Sequence, residues 1–266
     1  MAGIAEKYTF SQRREYICNC LLTQEFIPIA QLTAALEVSE MTVRRDLRRL
    51  EGEGHLIRVH GGARRLPPQK RELHQNRRML ENRQAKEQIG AYAARFVEDG
   101  DIILLDASTT TRYMVQHLLT RRITVITNQV DVAMGFAGSK TVDVILLGGR
   151  LRKSSGSLTG YEVVEQVRRY NADKLFCSSK ALDEVHGLTD VTVEEGEVKR
   201  AFLQAAAERY LLMDQTKLDT RAFYQVAPIQ AIHHLITDPP EAARQEFLDR
   251  CRNYHIQVHI GTQENG

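Results

Sequence analysis

Apolar residues recur at helical spacing in two segments near the start of the chain. In the first segment Ser11 can act as the N-cap of a helix, and in the second Pro28 suits the first helical position. Each segment therefore predicts a helix with one buried face. The residues on these faces are Tyr16, Ile17 and Leu21 in the first helix and Ile29, Leu32 and Leu36 in the second.

A third helix is predicted over residues 40 to about 51, with Ser39 as its N-cap. Val43, Leu47 and Leu50 follow one another at intervals of four and three residues, so they share one buried face. The other side chains point to the opposite face or lie on its edges. They are Met41, Thr42, Arg44, Arg45, Arg48 and Arg49.

A short basic hairpin is predicted after the third helix. Gly52 and Gly54 end that helix, and residues 56–60 alternate between apolar and polar side chains in the manner of a strand. Gly61 and Gly62 permit a tight turn, from which residues 63–65 return. The basic side chains of the hairpin are Arg58, His60 and Arg64.

The order helix, helix, short turn, Arg-faced helix and basic hairpin is typical of a winged helix-turn-helix. Arg side chains form bidentate hydrogen bonds with guanine and pair with phosphates, so the third helix suits the major groove of double-stranded DNA. All seven Lys and Arg residues between Arg44 and Arg65 are Arg. We therefore expect DNA contacts from Ser39 and from the exposed side chains named for the third helix and the hairpin. A solvated Arg face that contacts another protein is the alternative.

Short apolar runs alternate with helical segments in the rest of the chain. This alternation predicts an α/β fold, with a mostly parallel sheet covered by helices. The first run leads through a polar loop into a helix that is predicted to end near Leu119. The runs are residues 101–106, 123–127, 142–147, 174–177, 210–213, 231–237 and 256–260.

Polar residues follow several of these predicted strands. Ligands of parallel sheets bind in the crevice beyond the carboxyl ends of the strands, and a helix N-terminus there favours a phosphate. As an alternative, Asp106 is only a turn or cap residue, and the Ser/Thr cluster that follows it only caps a helix. The ligand site predicted from these positions comprises Asp106, Ser108, Thr109, Thr110, Asn128, Gly148, Gly149 and Arg150.

The clearest boundary in the chain is the pair Pro67-Pro68, which charged residues flank. Two prolines can continue neither a helix nor a sheet ladder. We therefore predict a DNA-binding domain over residues 1–66, a linker and helical arm over 67–89, and an α/β domain over 90–266.

The composition is that of an ordinary folded protein. Of the 266 residues, 42% are hydrophobic and 26% charged, and the formal net charge is only +2, so the Arg-rich segment is a local feature. The four cysteines show no metal-ligand spacing and predict buried free thiols in a reducing cytoplasm. No apolar run approaches the roughly 18 residues of a membrane span. We expect a cytoplasmic protein without membrane association, metal or cofactor.

Motifs in both halves of the chain resemble the DeoR family of bacterial regulators, up to about residue 240. In the first half they are residues 38–47, Leu50-Glu51-x-x-Gly54 and residues 58–63. In the second half they include Asn82-Arg83-x-x-Lys86, Gly148-Gly149-x-Leu151-Arg152, Glu195-x-x-Val198-Lys199-Arg200 and Asp214-x-x-Lys217.

Members of this family are mostly repressors of sugar-catabolic operons that a phosphorylated sugar releases. Their sensor domain is similar in fold to ribose-5-phosphate isomerase and glucosamine-6-phosphate deaminase. The resemblance implies the same function and a phosphosugar effector site here, with Glu195, Lys199, Asp214 and Lys217 as further contacts. An exposed i,i+4 helix pair is the alternative for Glu195 and Lys199.

Two places depart from the family pattern. Ser108 stands where the phosphate loop usually carries a Gly, and Ser178-Ser179-Lys180-Ala181 stands where the family is Gly-rich. Lys180 either adds a charge for the ligand or partly closes the pocket.

The leading hypothesis is a homo-oligomeric repressor, because two paired DNA-binding modules multiply specificity for an operator. The competing hypothesis is a sugar-phosphate isomerase or deaminase with an appended DNA-binding module, in which Asp106, Glu195 or Asp214 serves as acid or base. His233 and His234 are adjacent on a predicted strand and point to opposite faces, so they cannot share a catalytic site. We expect a regulator with no catalytic residues.

Overall fold

The computed structural model describes residues 8–52, 56–65 and 75–261 of the chain. These residues belong to two compact units, Met1–Leu73 and His74–Gly266. The division falls inside the segment 67–89, which the sequence assigns to a linker and helical arm. From His74 onward the residues of this segment belong to the second unit.

The first unit has the element order of a winged helix-turn-helix. Its helices are α1 (Phe10–Thr23), α2 (Ile29–Leu36) and α3 (Glu40–Gly52), and its strands are β1 (Phe26–Pro28), β2 (Ile57–Val59) and β3 (Gly62–Arg64). The strands form an antiparallel sheet in the order β1-β3-β2. The three helices and the β2–β3 hairpin agree with the sequence analysis. Strand β1 was missed, because three residues are too few to show an alternating pattern.

The core of the first unit lies between the predicted inner faces of its helices. Ile17, Leu32, Val43 and Leu47 are each at most 1% exposed, which confirms those faces. Tyr16 is 38% exposed, so its assignment to the inner face of α1 is wrong.

Two helix starts differ from the sequence analysis. Thr9 rather than Ser11 caps α1: Thr9 Oγ1 accepts from the backbone N–H of Gln12 at 3.4 Å, and Gln12 Oε1 accepts from the N–H of Thr9 at 2.9 Å. Such a reciprocal capping box satisfies two backbone donors at the helix start. Pro28 has an extended backbone and is the N-cap of α2, which begins one residue later at Ile29.

The second unit is an α/β domain. Its main strands are β4 (Ile102–Leu105), β5 (Ile123–Thr127), β6 (Val142–Leu146), β9 (Ala172–Cys177), β12 (Ala206–Leu212), β14 (His234–Thr237) and β15 (Gln257–Ile260). They form one seven-stranded sheet in the order β15-β14-β12-β9-β4-β5-β6, and all of its strand pairs are parallel. The predicted mostly parallel sheet is therefore confirmed.

Two smaller antiparallel sheets accompany the main one. Strands β7 (Arg150–Arg152) and β8 (Ser157–Thr159) form a hairpin. Strands β10 (Ala181–Asp183), β11 (Gly187–Asp190) and β13 (Tyr224–Ala227) form a three-stranded sheet in that order.

Helices cover both faces of the main sheet. They are α4 (Gln75–Leu80), α5 (Arg83–Ala93), α6 (Thr109–Arg112), α7 (Val115–Leu118), α8 (Val130–Gly135), α9 (Tyr161–Val167), α10 (Val193–Ala205) and α11 (Ala242–Asn253). Ile103 and Leu105 of β4 pack in the cluster that contains Ile89 of α5, whereas Leu104 packs in the cluster that contains Phe202 of α10. This alternation follows from the two-residue period of a strand. The single helix predicted to end near Leu119 is in fact two short helices, α6 and α7.

The cysteines and the helix lengths bear on two further expectations. None of the four cysteines forms a disulfide within the described residues; Cys177 and Cys251 are buried, whereas Cys18 and Cys20 are only half-buried. Within the described part of the chain, no helix has the length and apolar character needed to span a membrane.

Candidate DNA-binding surface and effector site

Helix α3 presents an exposed basic face. Ser39 Oγ accepts from the N–H of Thr42 at 3.2 Å, so Ser39 is the N-cap of α3, as predicted. Thr42 is half-buried, and Arg44 forms an exposed ion pair with Glu40 of the preceding turn. Surface pairs of this kind contribute little stability, so Arg44 can exchange Glu40 for a phosphate. The exposed side chains of this face are Met41, Arg44, Arg45, Arg48 and Arg49.

A buried ion pair lies under this face and joins α1 to α3. Arg13 Nε donates to Asp46 Oδ2 at 2.6 Å, and Nη2 donates to Oδ1 at 3.3 Å. Arg13 Nη1 also donates to the carbonyl oxygen of Tyr8 at 2.7 Å. Two parallel bonds fix the relative orientation of the groups that they join. This pair could not be predicted from the sequence, because an Asp inside an Arg-rich helix gives no local sign of burial.

The β2–β3 hairpin supplies the predicted wing. Arg58 is half-buried and tied to α3: its backbone N–H donates to Glu51 Oε1 at 2.9 Å, and its guanidinium lies 3.7 Å from the Glu51 carboxylate. His60 and Arg64 are exposed. At Gly62 a Cβ would lie 2.2 Å from the carbonyl oxygen of Ile27, so only glycine lets β1 and β3 approach this closely.

In the second unit, the order of the strands creates a switch point between β4 and β9. From β4 the chain continues to β5 and β6 on one side, and then returns to β9 on the other. Such a point leaves a crevice beyond the strand ends. Asp106 follows β4 and Ser178 follows β9, and the N–H of Ser178 donates to Asp106 Oδ2 at 3.0 Å.

The loop after β4 is tied together by its own side chains. Asp106 Oδ1 accepts from the N–H of Ser108 and from Thr111 Oγ1, both at 3.1 Å. Ser108 Oγ accepts from the N–H of Thr111 at 3.1 Å and caps α6. Asp106 thus stabilises the turn and Ser108 caps the helix, which is the alternative role that the sequence offered for them. Thr109 and Thr110 are buried, and Thr110 Oγ1 has no hydrogen-bond partner among the described residues.

Lys199 lies between two buried carboxylates at the switch point. Its Nζ is 2.7 Å from Asp190 Oδ2 and 3.7 Å from Asp106 Oδ2. Burial lowers the pKa of Lys199, but the charges of Asp190 and Asp106 outweigh that effect and hold it above its ordinary value. Lys199 is therefore not part of an exposed helix pair. Asp190, at the end of β11, was not among the predicted residues, because nothing local marks it as a partner of Lys199.

Lys217 and Asp214 form a second charged pair beside the first. Lys217 Nζ lies 3.7 Å from Asp214 Oδ2 and 3.4 Å from Ser178 Oγ. Asp214 Oδ1 accepts from Asn82 Nδ2 at 2.8 Å and from the hydroxyl of Thr216. Burial raises the pKa of Asp214, but Lys217 and these two donors outweigh it, so Asp214 stays ionised. Its Oδ2 is buried and accepts no hydrogen bond from any described residue.

Three further basic side chains complete what we call the sensor cluster. Lys86 is buried, whereas Lys180 and Arg78 are half-buried and form no ion pair with any described residue. Burial lowers the pKa of Lys180 and of Lys217, and the charge of Arg78 lowers both further. The sensor cluster comprises Arg78, Lys86, Lys180, Lys199 and Lys217 with Asp106, Asp190 and Asp214.

Five basic groups thus face three buried carboxylates, which leaves two positive charges in excess. The exposed carboxylate of Glu81 lies at the edge of the cluster, near Lys180. Arg78 was missed because it lies in the predicted arm rather than after a strand.

The remaining predicted ligand residues lie around the β7–β8 hairpin. Asn128 Nδ2 donates to the carbonyl oxygen of Leu158 at 2.9 Å, and Glu195 Oε1 accepts from Ser157 Oγ at 3.1 Å. Gln129, which was not predicted, holds the same hairpin through Ser155. These contacts hold β8 against β5 and α10. No hydrogen bond or ion pair within the described ranges joins Asn128 or Glu195 to the sensor cluster.

The structure explains the glycine pair by packing. The N–H of Gly148 donates to Gln166 Oε1 at 3.0 Å. At Gly149 a Cβ would lie 2.5 Å from Val163 Cγ2, so the missing side chain lets α9 pack against this strand end. Arg150 is exposed. None of the three has a hydrogen bond or ion pair to a sensor-cluster residue, as far as the chain is described.

Comparisons with known proteins agree with this division of the chain. The model of the DeoR-like helix-turn-helix domain matches residues 13–69, and that of the DeoR C terminal sensor domain matches residues 81–239. The HTH-type transcriptional repressor GlcR of Bacillus subtilis is 35% identical over 256 residues, which cover 96% of this chain and 98% of GlcR.

The chain belongs to the DeoR family.

Another curated relative and a solved structure are also similar to this chain. The lactose phosphotransferase system repressor of Lactococcus lactis is 32% identical over 213 residues, which cover 78% of this chain and 83% of the repressor. Ribose-5-phosphate isomerase A from Methanocaldococcus jannaschii aligns with a TM-score of 0.39 and 17% identity, over 52% of this chain and 55% of the isomerase. The matched family domains bind DNA and sense a signal, and the protein is a transcriptional regulator rather than an enzyme.

Both departures from the DeoR-family pattern lie at the switch point. Ser108 has φ −96°, a backbone that any residue adopts, and its hydroxyl caps α6. The backbone of Ser178 holds Asp106, and Ser179 Oγ donates to the carbonyl oxygen of Thr189 at 2.8 Å. Lys180 adds a half-buried positive charge beside Lys217. The structure therefore places hydroxyl side chains and a half-buried cation at the two positions where the sequence departs from the family pattern.

Proposed function

We propose that this DeoR-family regulator represses a carbohydrate-catabolism operon and leaves its operator when a phosphorylated sugar binds the sensor cluster. The observation that carries the proposal is that the basic groups of the sensor cluster exceed its buried carboxylates by two. A phosphate monoester carries about −1.5 to −2 charges at pH 7, so it offsets that excess.

The two charged pairs suggest how such an effector is oriented. Lys199 is largely neutralised by Asp190 and Asp106, whereas Lys180 has no ion pair among the residues that the structure describes. The phosphate therefore belongs on the side of Lys180 and Lys217. Asp214 Oδ2, a buried acceptor with no described donor, suits a sugar hydroxyl, because a carboxylate repels phosphate but accepts from O–H.

DNA binding is assigned to α3 and the β2–β3 wing. The face of α3 opposite its buried Val43, Leu47 and Leu50 is exposed and Arg-rich, which suits base edges and phosphates in the major groove. Paired modules of this type bind half-sites one helical turn apart, about 34–36 Å. The proposed active form is therefore a homo-oligomer, and the proposed site of action is DNA in the cytoplasm. Contacts are expected from Ser39, Thr42 and the basic residues already named for α3 and the wing.

A fluorescence-anisotropy titration tests the proposal. The probe is the DNA upstream of the protein's own gene cluster, with a scrambled duplex as control, at one fixed salt concentration because phosphate contacts make affinity salt-dependent. A panel of pentose and hexose phosphates is added in parallel with the same sugars lacking phosphate. Specific binding that one phosphorylated sugar weakens, and its unphosphorylated form does not, is the expected result. Specific binding that no sugar phosphate changes would contradict the effector assignment, and equal affinity for the scrambled duplex would contradict operator recognition.

A further inference from the structure

Helix α4 is held on the second unit through its own last carbonyl groups. Lys86 Nζ donates to the carbonyl oxygen of Arg78 and, at 2.6 Å, to that of Glu81. Tyr113 on the turn after α6 donates its hydroxyl to the carbonyl oxygen of Met79 at 3.0 Å. The last carbonyls of a helix have no partner within the helix, so two side chains of the sensor domain satisfy groups that would otherwise need water.

A helix as short as α4 depends on such contacts. It has six residues, far below the roughly 12–15 that an isolated helix needs to be even marginally stable in water. Its stability therefore depends on tertiary contacts, among them the hydrogen bonds from Lys86 and Tyr113. The chain enters the second unit through α4, because α4 is the first helix after the division at Leu73.

The side chain of Arg78 lies where α4 meets the sensor cluster. It is half-buried, and its charge acts on Lys180, Lys217 and Asp190 as well as on Lys86. No carboxylate in the described part of the chain forms an ion pair with it. The charge of Arg78 acts on three lysines but on only one buried carboxylate, Asp190, so an added anion is favourable beside it. Its planar fork binds phosphate in a bidentate manner.

We propose that Arg78 contacts the anionic group of the effector and that this contact stabilises α4 on the sensor domain. The inference deepens the proposed function, since it requires an anionic effector in the sensor cluster. An effector that binds only when α4 is in place shifts the population toward that state, and this is the differential affinity that any allosteric signal needs. Effector binding then changes the stability of α4, the first helix of the second unit after the DNA-binding unit in the chain.

The test compares Arg78→Gln with Arg78→Lys and with a matched control, Arg83→Gln. Arg83 lies on α5, is exposed, and pairs with Glu87 on the same helix rather than with the cluster. Calorimetry on the full chain measures the affinity for inorganic phosphate and for the sugar phosphate that releases DNA, or for glucose 6-phosphate if none does. Hydrogen exchange measures the protection of amides 75–82 with and without the same probe.

In the wild type the probe binds and slows exchange in residues 75–82. Arg78→Gln weakens binding by about tenfold to a hundredfold, the usual effect of one lost charged hydrogen bond, and removes the added protection. Arg78→Lys recovers part of the affinity, and Arg83→Gln behaves as the wild type. Arg83→Gln also keeps the DNA affinity and the melting temperature of the wild type, because Arg83 pairs, among the described residues, only with Glu87 on its own helix. The melting temperature of each Arg78 variant without the probe shows that the variant is folded.

Two results would overturn the inference. If Arg78→Gln binds the probe as tightly as the wild type, or if the probe protects α4 equally in both, then Arg78 does not contact the ligand while the proposed effector site stands. If the wild type itself binds neither phosphate nor any sugar phosphate, the effector assignment fails and the inference fails with it.

Discussion

Arg13 on α1 and Asp46 on α3 form a buried ion pair with two hydrogen bonds, 33 residues apart in the chain. Asp46 lies on the same helix as the Arg residues that we assign to DNA. The pair therefore holds the reading face of α3 against the rest of the DNA-binding unit. The Arg13–Asp46 pair therefore contributes both to the stability of this unit and to the position of the Arg residues that we assign to DNA.

Replacing Asp46 with Ala is expected to destabilise the DNA-binding unit by about 3–5 kcal/mol, because it removes the carboxylate that offsets the buried Arg13 charge. Urea unfolding of the full chain, together with DNA affinity, measures the effect. Glu40→Ala is the control, since it removes the exposed partner of Arg44 and should cost about 1 kcal/mol or less. Equal losses of unfolding free energy in the two variants would show that the buried pair stabilises the unit no more than the exposed pair does.

Replacing Arg48 with Ala is expected to weaken operator binding by about tenfold to a hundredfold, as for the loss of one side chain that contacts a base. Arg48 is exposed on the reading face of α3. Anisotropy titrations at several salt concentrations distinguish two kinds of contact: a phosphate contact lowers the salt slope by about 1, whereas a base contact relaxes specificity. Arg169→Ala, which removes the same charge from an exposed site in the sensor domain, should bind as the wild type. Unchanged affinity in Arg48→Ala would exclude this side chain from the interface.

Anion binding to the sensor cluster is expected to take up protons. Burial, followed by the charge of Lys217, lowers the pKa of Lys86 from 10.5 to about 8, whereas Asp214 and Glu81 oppose this shift. Between these two pH values the folded chain binds fewer protons than the unfolded chain, so the contribution of Lys86 to the free energy of unfolding rises with pH. A bound anion favours the charged form of Lys86. The affinity for an anion must then fall as pH rises through about 8.

Calorimetric titration with sulfate near pH 8.5, in buffers of different ionisation enthalpy, counts the protons taken up. Lys86→Arg keeps the charge but removes the titration, so it should take up fewer protons than the wild type. Some uptake should remain, because the pKa values of Lys180 and Lys217 are lowered as well. A wild type that binds sulfate without proton uptake would refute the prediction.

A second pH effect is expected from His234 and His259, whose Nδ1 and Nε2 atoms lie 3.1 Å apart. Burial lowers the pKa of both rings below 6.5, and the neighbouring His259 lowers that of His234 further; Glu208 acts in the opposite direction. As the pH falls below about 6.5, the unfolded chain therefore binds more protons than the folded chain. The free energy of unfolding then decreases by at most about 1.4 kcal/mol per pH unit for each histidine.

Urea unfolding between pH 7.5 and 5.5 checks this effect. The double variant His234→Phe, His259→Phe keeps aromatic rings beside Tyr210 and should show a flatter pH profile. His117→Asn, at an exposed position on α7, should keep the wild-type slope. A double variant as sensitive to acid as the wild type would place the titration elsewhere.

The sequence alone identified the features that depend on local periodicity. The buried faces of α2 and α3, the Ser39 cap, the hairpin turn and the parallel sheet all follow from spacings of two to four residues. Helix α3 was predicted over residues 40 to about 51 and spans Glu40–Gly52. Its Arg face needed no tertiary information, because burying Val43 and Leu47 exposes Arg45 and Arg48.

Only the tertiary structure decided which polar residues meet. Asp106 and Ser178 are 72 residues apart, and Asn82 and Asp214 are 132 apart. The first contact depends on β9 lying beside β4, and the second on α5 packing against β12. Both arrangements are set by the packing of whole strands and helices. The strand-end rule placed Asp106 in the cluster, but it also selected Asn128, which holds the β7–β8 hairpin. Arg78 and Asp190 could not be predicted from the sequence. The charged groups around each of them come from distant segments, which leave no pattern among the neighbouring residues in the chain.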